Sequence, residues 1–171
     1  MKIPEATYIE KLKTPFLTWI IGAEDTGIRW IMSDKKADIS GINERSNELT
    51  RLAVVQLKEY FDGKRIRFEL PIDISGYSAF AQSVWQMLLT IPYGKTISYK
   101  QLAIMLGDVK CIRAAAAANG KNPIPVIIPC HRVIGSDGSL TGYALGLDVK
   151  SYLLNIEQPG KYEEKQLSLF K

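Results

Sequence analysis

The chain has 171 residues, 46% hydrophobic and 23% charged, with a net charge of +4 and a pI of about 9.0. This is the make-up of a globular protein of one or two small domains, which excludes a low-complexity chain. No apolar stretch approaches the ~20 residues of a membrane span, and the mild positive charge suits a polyanionic partner without requiring one.

Two cysteines, Cys111 and Cys130, and one histidine, His131, are too few for a structural zinc site of four Cys/His ligands. A single possible Cys pair does not make a disulfide framework. The expectation is a reducing, cytoplasmic setting with no metal. Met1–Lys13 carries charges throughout and lacks the apolar core of a signal peptide.

In the first half, Phe16–Ile21 and Ile28–Met32 read as strands joined by the turn residues Glu24-Asp25-Thr26-Gly27, a hairpin pattern. Leu49, Leu52, Ala53, Leu57, Tyr60 and Phe61 have helical spacing, and Gly63 is a suitable stop. Arg65–Leu70 alternates charged and apolar residues as a half-exposed strand does, and Pro71 ends it. Residues 1–75 therefore read as a small α+β domain without a chemical motif.

The second half, 76–171, is more helical. Ser78–Leu89 presents Phe80, Val84, Met87 and Leu88 as one buried face, and Ile91-Pro92-Tyr93-Gly94 is a turn. Ser98 can cap a helix over Tyr99–Leu106 that Gly107 ends, and Asp108 can cap another running to Asn119 and Gly120. Two short helices across a Gly-containing turn have the pattern of a helix-turn-helix. The second carries Arg113 and then five alanines, Ala114–Ala118. So slim a helix suits a nucleic-acid groove and close packing on another helix equally well.

The prolines of Asn122-Pro123-Ile124-Pro125 make that segment rigid and extended. Gly135–Gly138 is a turn. A last helix after Gly146 spaces Val149, Tyr152, Leu153 and Ile156 at i, i+3, i+4, i+7, with Glu157 one residue beyond. After Pro159-Gly160 a charged tail is expected to be loosely held.

The chemistry concentrates in Pro129-Cys130-His131-Arg132, which the apolar run Val126-Ile127-Ile128 leads into. A thiol attacks as thiolate, and ionises near neutral pH only beside a base or a cation. Thiol, imidazole and guanidinium are adjacent here. On residue types alone a Cys beside a His is more often a structural pair.

Taken together, Gln82-Ser-Val-Trp85, Ile91–Gly94, Ser98-Tyr99, Arg113, Asn122-Pro123, Ile128–Val133, Gly142-Tyr143, Leu153-Leu154 and Glu157 resemble the O6-alkylguanine-DNA alkyltransferases, or methylated-DNA–protein-cysteine methyltransferases. Order and spacing agree without gaps over the second half. Tyr60–Gly63 and Phe68–Pro71 are similar to the family's more variable first half.

The resemblance implies an α+β N-terminal domain followed by a mainly helical C-terminal domain with a winged helix-turn-helix. It implies a monomeric single-turnover repair protein without cofactor. Its partner is double-stranded DNA carrying O6-alkylguanine, and activity on O4-alkylthymine is left open. The target base is flipped out of the duplex through the minor groove. Position by position, Cys130 matches the alkyl acceptor, His131 the base acting through a water, and Glu157 the carboxylate that orients it. Asn122 matches a hinge residue, and Tyr99 a residue that turns the target phosphate and gives a proton toward the leaving base. Arg113 matches the finger that fills the gap in the stack, and Ala114 lies on the groove-fitting helix. Lys100 and Ser136 match DNA contacts, and Tyr143, Ala144 and Leu145 the substrate pocket.

This sequence departs from the family at Leu145, where many members have glycine, which predicts a side chain at the pocket rim. It lacks ligands for the zinc site some members carry in the first half. Its Gly76–Gln82 segment is looser than the usual Gly-Thr-x-Phe-Gln, with an effect expected on packing and not on chemistry. Two rival readings are a non-catalytic alkylated-DNA binding relative, which would lack Cys130, and a winged-helix regulator, for which Tyr99, Arg113 and the alanines offer little base-reading chemistry.

Overall fold

Apolar runs that cannot alternate in and out of water need cover on both faces, and the first half of the chain is built that way. The computed structural model describes residues 4–162. Strands β1 (Tyr8–Lys13), β2 (Thr18–Glu24) and β3 (Gly27–Ser33) form an antiparallel sheet in the order β1-β2-β3. Helix α1 (Glu48–Phe61) packs on one face, where Trp19 stacks on Phe61 with centroids 5.3 Å apart. On a separate cluster, Ile20, Trp30, Met32 and Ala37 are covered by Ala6, Ile9, Ile39 and Ile42. A capping box between Asn47 and Thr50 starts α1, and Gly63, at φ +70°, follows its end.

Two differences from the sequence reading have physical causes. β1 was not expected, because Glu10, Lys11 and Lys13 hide its period; it is the sheet's edge strand, where charge is tolerated. Arg65–Leu70 was expected as a strand and forms none. The Gln56 side chain takes the place of a ladder there: its Nε2 donates to Glu69 O at 3.2 Å, and Glu69 N–H donates to its Oε1 at 2.8 Å. The far edge of β3 is instead filled around Ile28, whose N–H donates to Pro71 O and whose C=O accepts from Asp73 N–H, both at 2.9 Å.

The residues fall into two compact units, the first running to Gly76 and including Pro123–Pro125, the second holding Tyr77–Asn122 and the chain from Val126 on. Within the first unit, Pro123 O accepts the Ile31 N–H at 2.8 Å. The second unit contains α2 (Ala79–Leu89), β4 (Ile97–Ser98), α3 (Tyr99–Met105), a 3₁₀ turn at Val109–Cys111, α4 (Ile112–Gly120), a second 3₁₀ turn at Cys130–Arg132, β5 (Val133–Ile134) and α5 (Leu147–Glu157). α3 and α4 form the helix-turn-helix, with β4 and β5 paired beside it. A capping box of Ser98 and Gln101 starts α3, and the Asp108 side chain accepts from Lys110 N–H at the first 3₁₀ turn. α2 buries Val84, Trp85 and Leu88, while Phe80, expected on that face, is exposed. The Trp85 indole N–H donates to Ala118 O at 2.9 Å and ties α2 to α4. The expected charged tail lies largely outside the described residues. Among the described residues no helix is long and apolar enough to cross a membrane.

Gly22 lies opposite Trp30 in the β2–β3 ladder, and a Cβ built on it would stand 2.0 Å from the indole Cε2. Gly22→Ala therefore forces the Trp30 ring out of its cluster. The expected loss is about 1–3 kcal/mol in urea unfolding, against little change for Gly41→Ala, whose Cβ would meet nothing within 4 Å.

Candidate active site

The approach to Cys130 is set by backbone geometry. Pro129, at φ −82° and ψ 58°, makes an inverse γ-turn, closed by Cys130 N–H donating to Ile128 O at 2.8 Å. Three residues earlier Val126 has φ +76°, the one positive φ at a non-glycine residue among those described. For a β-branched residue this is a strained conformation, held here by burial. The 3₁₀ turn then points Cys130, His131 and Arg132 in directions about 120° apart, so adjacent residues serve different neighbours.

Glu157, at the end of α5, gathers two of them. His131 Nε2 is 2.7 Å from its Oε1. Arg132 donates from Nε to Oε2 at 2.9 Å and from Nη2 to Oε1 at 3.0 Å, while its Nη1 donates to Ile91 O at 2.6 Å. Gly94 N–H donates to Oε2 at 2.9 Å. The Ile91–Gly94 turn is strapped to α5 by Tyr93 Oη, which donates to Ile156 O at 3.2 Å, and by Gln158 Nε2, which donates to Gly94 O. Burial alone would raise the Glu157 pKa, but the hydrogen bonds from His131 and Arg132 and the Arg132 charge outweigh it and hold the carboxyl well below its usual range. Burial lowers the His131 pKa from 6.5 against the pull of Glu157, so the imidazole is neutral. Neutral His131 donates its Nε2–H to the carboxylate, which leaves the lone pair on Nδ1.

Cys130 faces the other way and is 4% exposed. Asn122 Nδ2 donates to its Sγ at 3.0 Å and to Ile128 O at 2.8 Å, bracing the turn and the thiol together. Burial pushes the Cys130 thiol up to about 11, against smaller downward pulls from Asn122, Lys150 and Tyr143. The resting group is therefore a thiol. Tyr143 Oη is enclosed without a hydrogen-bond partner among the described residues, and burial, with the neighbouring Cys130, raises its pKa well above 10.

Lys150 belongs to this cluster and was missed in the sequence, where it reads as one more helical lysine. Its side chain is fully buried, and its Nζ donates to Val133 O at 2.6 Å and Thr141 O at 2.7 Å. Burial lowers its pKa to about 8, with Cys130 pulling upward. A lysine at the spacing of a core position, next to Val149 and three residues before Leu153, is the only sequence signal that could have marked it.

The remaining candidates lie on a second, open part of the unit. Tyr99 Oη is 3.2 Å from Thr141 O and 3.3 Å from Gly142 O. Lys100, Arg113, Ala114, Ala117 and Ser136 are exposed, whereas Ala115 and Ala118 are buried as α4 packs on α2 and α3. The close-packing reading of the alanine helix thus holds for one face, and the other face is left exposed. Ala144 is exposed, but Leu145 is buried at 8%, a packing position and not an open rim. Residues 1–76 carry 12 Lys+Arg and 12 Asp+Glu, so the whole excess of +4 lies on residues 77–171.

Two family models match: "6-O-methylguanine DNA methyltransferase, ribonuclease-like domain" over residues 7–74, and "6-O-methylguanine DNA methyltransferase, DNA binding domain" over 79–159. A methylated-DNA–protein-cysteine methyltransferase of Methanosarcina barkeri is 40% identical, over 88% of this chain and 97% of its own length. The constitutive one of Bacillus subtilis is 38% identical, over 92% and 99%. The structure of Mycobacterium tuberculosis OGT in complex with DNA superposes with a TM-score of 0.82 at 33% identity, covering 96% of this chain and all of that one.

Lys150→Met removes the donor to the Val133 and Thr141 carbonyls and a cation near the thiol. We expect a loss of about 1–3 kcal/mol in chemical unfolding. Cys130 alkylation by iodoacetamide at pH 8 should also slow, because losing the positive charge raises the thiol pKa further.

Proposed function

The chain belongs to the 6-O-methylguanine DNA methyltransferases, and from that premise we propose that Cys130 is the acceptor, taking the alkyl group of an O6-alkylguanine directly and irreversibly. The activity is methyl transfer from methylated DNA to a protein cysteine, a direct reversal of damage, with DNA as partner. The observation that carries the assignment of residues is the buried Glu157–His131 pair directly following the Asn122-braced thiol.

The chemistry then runs as follows. His131, made a base at Nδ1 by its Nε2–H bond to Glu157, takes the thiol proton through a water. The sulfur forms a bond to the alkyl carbon as the carbon–O6 bond breaks, and the electron pair goes to the base. Tyr99 supplies a proton to the departing guanine, and the proton taken from the thiol restores Tyr99 through solvent. The product is a thioether and unmodified guanine, and the protein acts once, as a monomer. Arg113, at the open end of α4, occupies the gap left by the flipped nucleotide. The small exposed side chains Ala114 and Ala117 let that helix enter a minor groove. Lys100 and Ser136 contact the strand, and Tyr143 borders the base. The buried position of Leu145 favours packing as its role and leaves the breadth of the pocket to its neighbours.

Incubation with a duplex containing O6-methylguanine should add one methyl group per molecule, on Cys130 and not Cys111, by mass spectrometry; repeated turnover or an unmodified Cys130 would overturn the proposal. Glu157→Gln should slow transfer about 10²- to 10⁴-fold with DNA affinity retained. The pH dependence follows from the lowered His131 pKa. The base must be neutral, so the single-turnover rate stays level from pH 8 to the ordinary imidazole value of 6.5 and falls only below it. An acid limb centred above 6.5 contradicts the assigned base. Arg113→Ala should impair repair of a paired lesion more than reaction with the free alkylated base.

A further inference from the structure

We propose that Lys150 is a positioning residue for the proton donor: its ammonium holds the Thr141 carbonyl to which the Tyr99 hydroxyl donates and stands over the Tyr99 ring, so that a fixed positive charge faces the oxygen that turns anionic as the base departs. The proposal rests on the donor role given above to Tyr99.

Lys150 lies in the first turn of α5, between Val149 and Ser151, and is fully buried. A methionine or leucine would fill such a position without burying a charge. Its Nζ donates to two backbone acceptors, Val133 O at 2.6 Å and Thr141 O at 2.7 Å. Glu157, the buried carboxylate of this unit, is paired with His131 and Arg132 instead. The positive charge is therefore held in place without being cancelled. Burial lowers its pKa only to about 8, so the ammonium form prevails at pH 7.

The same carbonyl serves Tyr99. The Tyr99 hydroxyl donates to Thr141 O at 3.2 Å, with Gly142 O beside it at 3.3 Å. Lys150 Nζ also lies 5.8 Å from the centroid of the Tyr99 ring, within cation–π range. Gly142, at φ +59°, leaves room for the hydroxyl, because a Cβ built on it would stand 3.0 Å from Tyr99 Oη.

The consequence is electrostatic. When Tyr99 gives its proton to the departing guanine, the O–H bond breaks and the electron pair stays on Oη. The carbonyl oxygens of Thr141 and Gly142, its acceptors at rest, then face an anion and oppose it. The Lys150 ammonium, bonded to the first of them, offsets that repulsion. A fixed cation beside charge that develops only in the transition state accelerates the step without tightening binding.

The test is a cycle of Lys150→Met and Tyr99→Phe in the full chain at pH 7. It is read by single-turnover transfer from a duplex containing O6-methylguanine and by Cys130 alkylation with iodoacetamide. Iodoacetamide needs the thiol but has no departing base to protonate, so it reports the share of Lys150 that acts on Cys130. Lys150→Met should lower the limiting first-order transfer rate about 10- to 100-fold more than it lowers the iodoacetamide rate, with the DNA concentration for half-maximal rate unchanged. In the Tyr99→Phe background that excess should shrink to within about twofold. Equal losses in the two reactions, or a loss confined to half-saturation, would leave Lys150 without a role toward Tyr99 and overturn the proposal. If Tyr99→Phe itself reacts at the wild-type rate, the donor role of Tyr99 fails and this proposal falls with it. If Tyr99→Phe is slow but the excess persists in that background, only the role of Lys150 fails. Should Lys150→Met not fold by circular dichroism, Lys150→Gln, which keeps an N–H donor for a carbonyl without the charge, enters the same cycle with the same expectations.

Discussion

Everything at the site depends on one buried carboxylate. Taking Glu157 out of water is unfavourable unless its lone pairs are filled, and they are, by His131, by two nitrogens of Arg132 and by the Gly94 amide. These donors come from the Cys130–Arg132 turn and the Ile91–Gly94 turn. A single side chain thus fixes the end of α5, both turns and the imidazole tautomer. Removing one partner of such a set typically costs about 3–5 kcal/mol, so Glu157 serves the packing of the second unit as well as the imidazole. The linkage has a definite sign: the lowered Glu157 pKa contributes stability above the ordinary carboxyl range, and that contribution disappears as pH falls through the lowered value.

Division of labour runs through the rest of the molecule. The first unit is charge-neutral in sequence and is built around stacked aromatic residues and a sheet with apolar clusters. The second unit carries the net charge and both the buried thiol and the exposed alanine face of α4. The alanines do two things that larger residues could not do together. On one side they admit Trp85 and the neighbouring helices, and on the other they leave little but backbone, with Arg113 at the open end.

Much of this was legible in the sequence, for reasons that can be named. Caps and stops such as Ser98, Asp108 and Gly63 act locally, so the helices they bound could be read directly. Cys130 and His131 stood out as an adjacent thiol and imidazole, while Glu157 was singled out only through the resemblance to the alkyltransferases. What escaped notice depends on partners distant in sequence. β1 is an edge strand whose charges mask its period, and Arg65–Leu70 has an alternating pattern satisfied by one glutamine side chain. Lys150 and Asn119 are polar residues whose burial becomes visible only when Val133, Thr141 and Cys130 are brought beside them. Leu145 illustrates the same limit, since the direction of a loop side chain is a tertiary property.

The enclosure of Cys130 bears on what the protein ignores. An accessible, ionised cysteine reacts with peroxides, disulfides and stray electrophiles, and each such event is terminal for a molecule that functions once. Here Cys130 is 4% exposed and burial keeps its thiol protonated at rest. Under the proposed mechanism its nucleophilicity becomes available only when a substrate fills the site and His131 accepts the proton. Selectivity against the cell's other oxidants and alkylating agents is thus built into the resting state, ahead of any recognition of DNA.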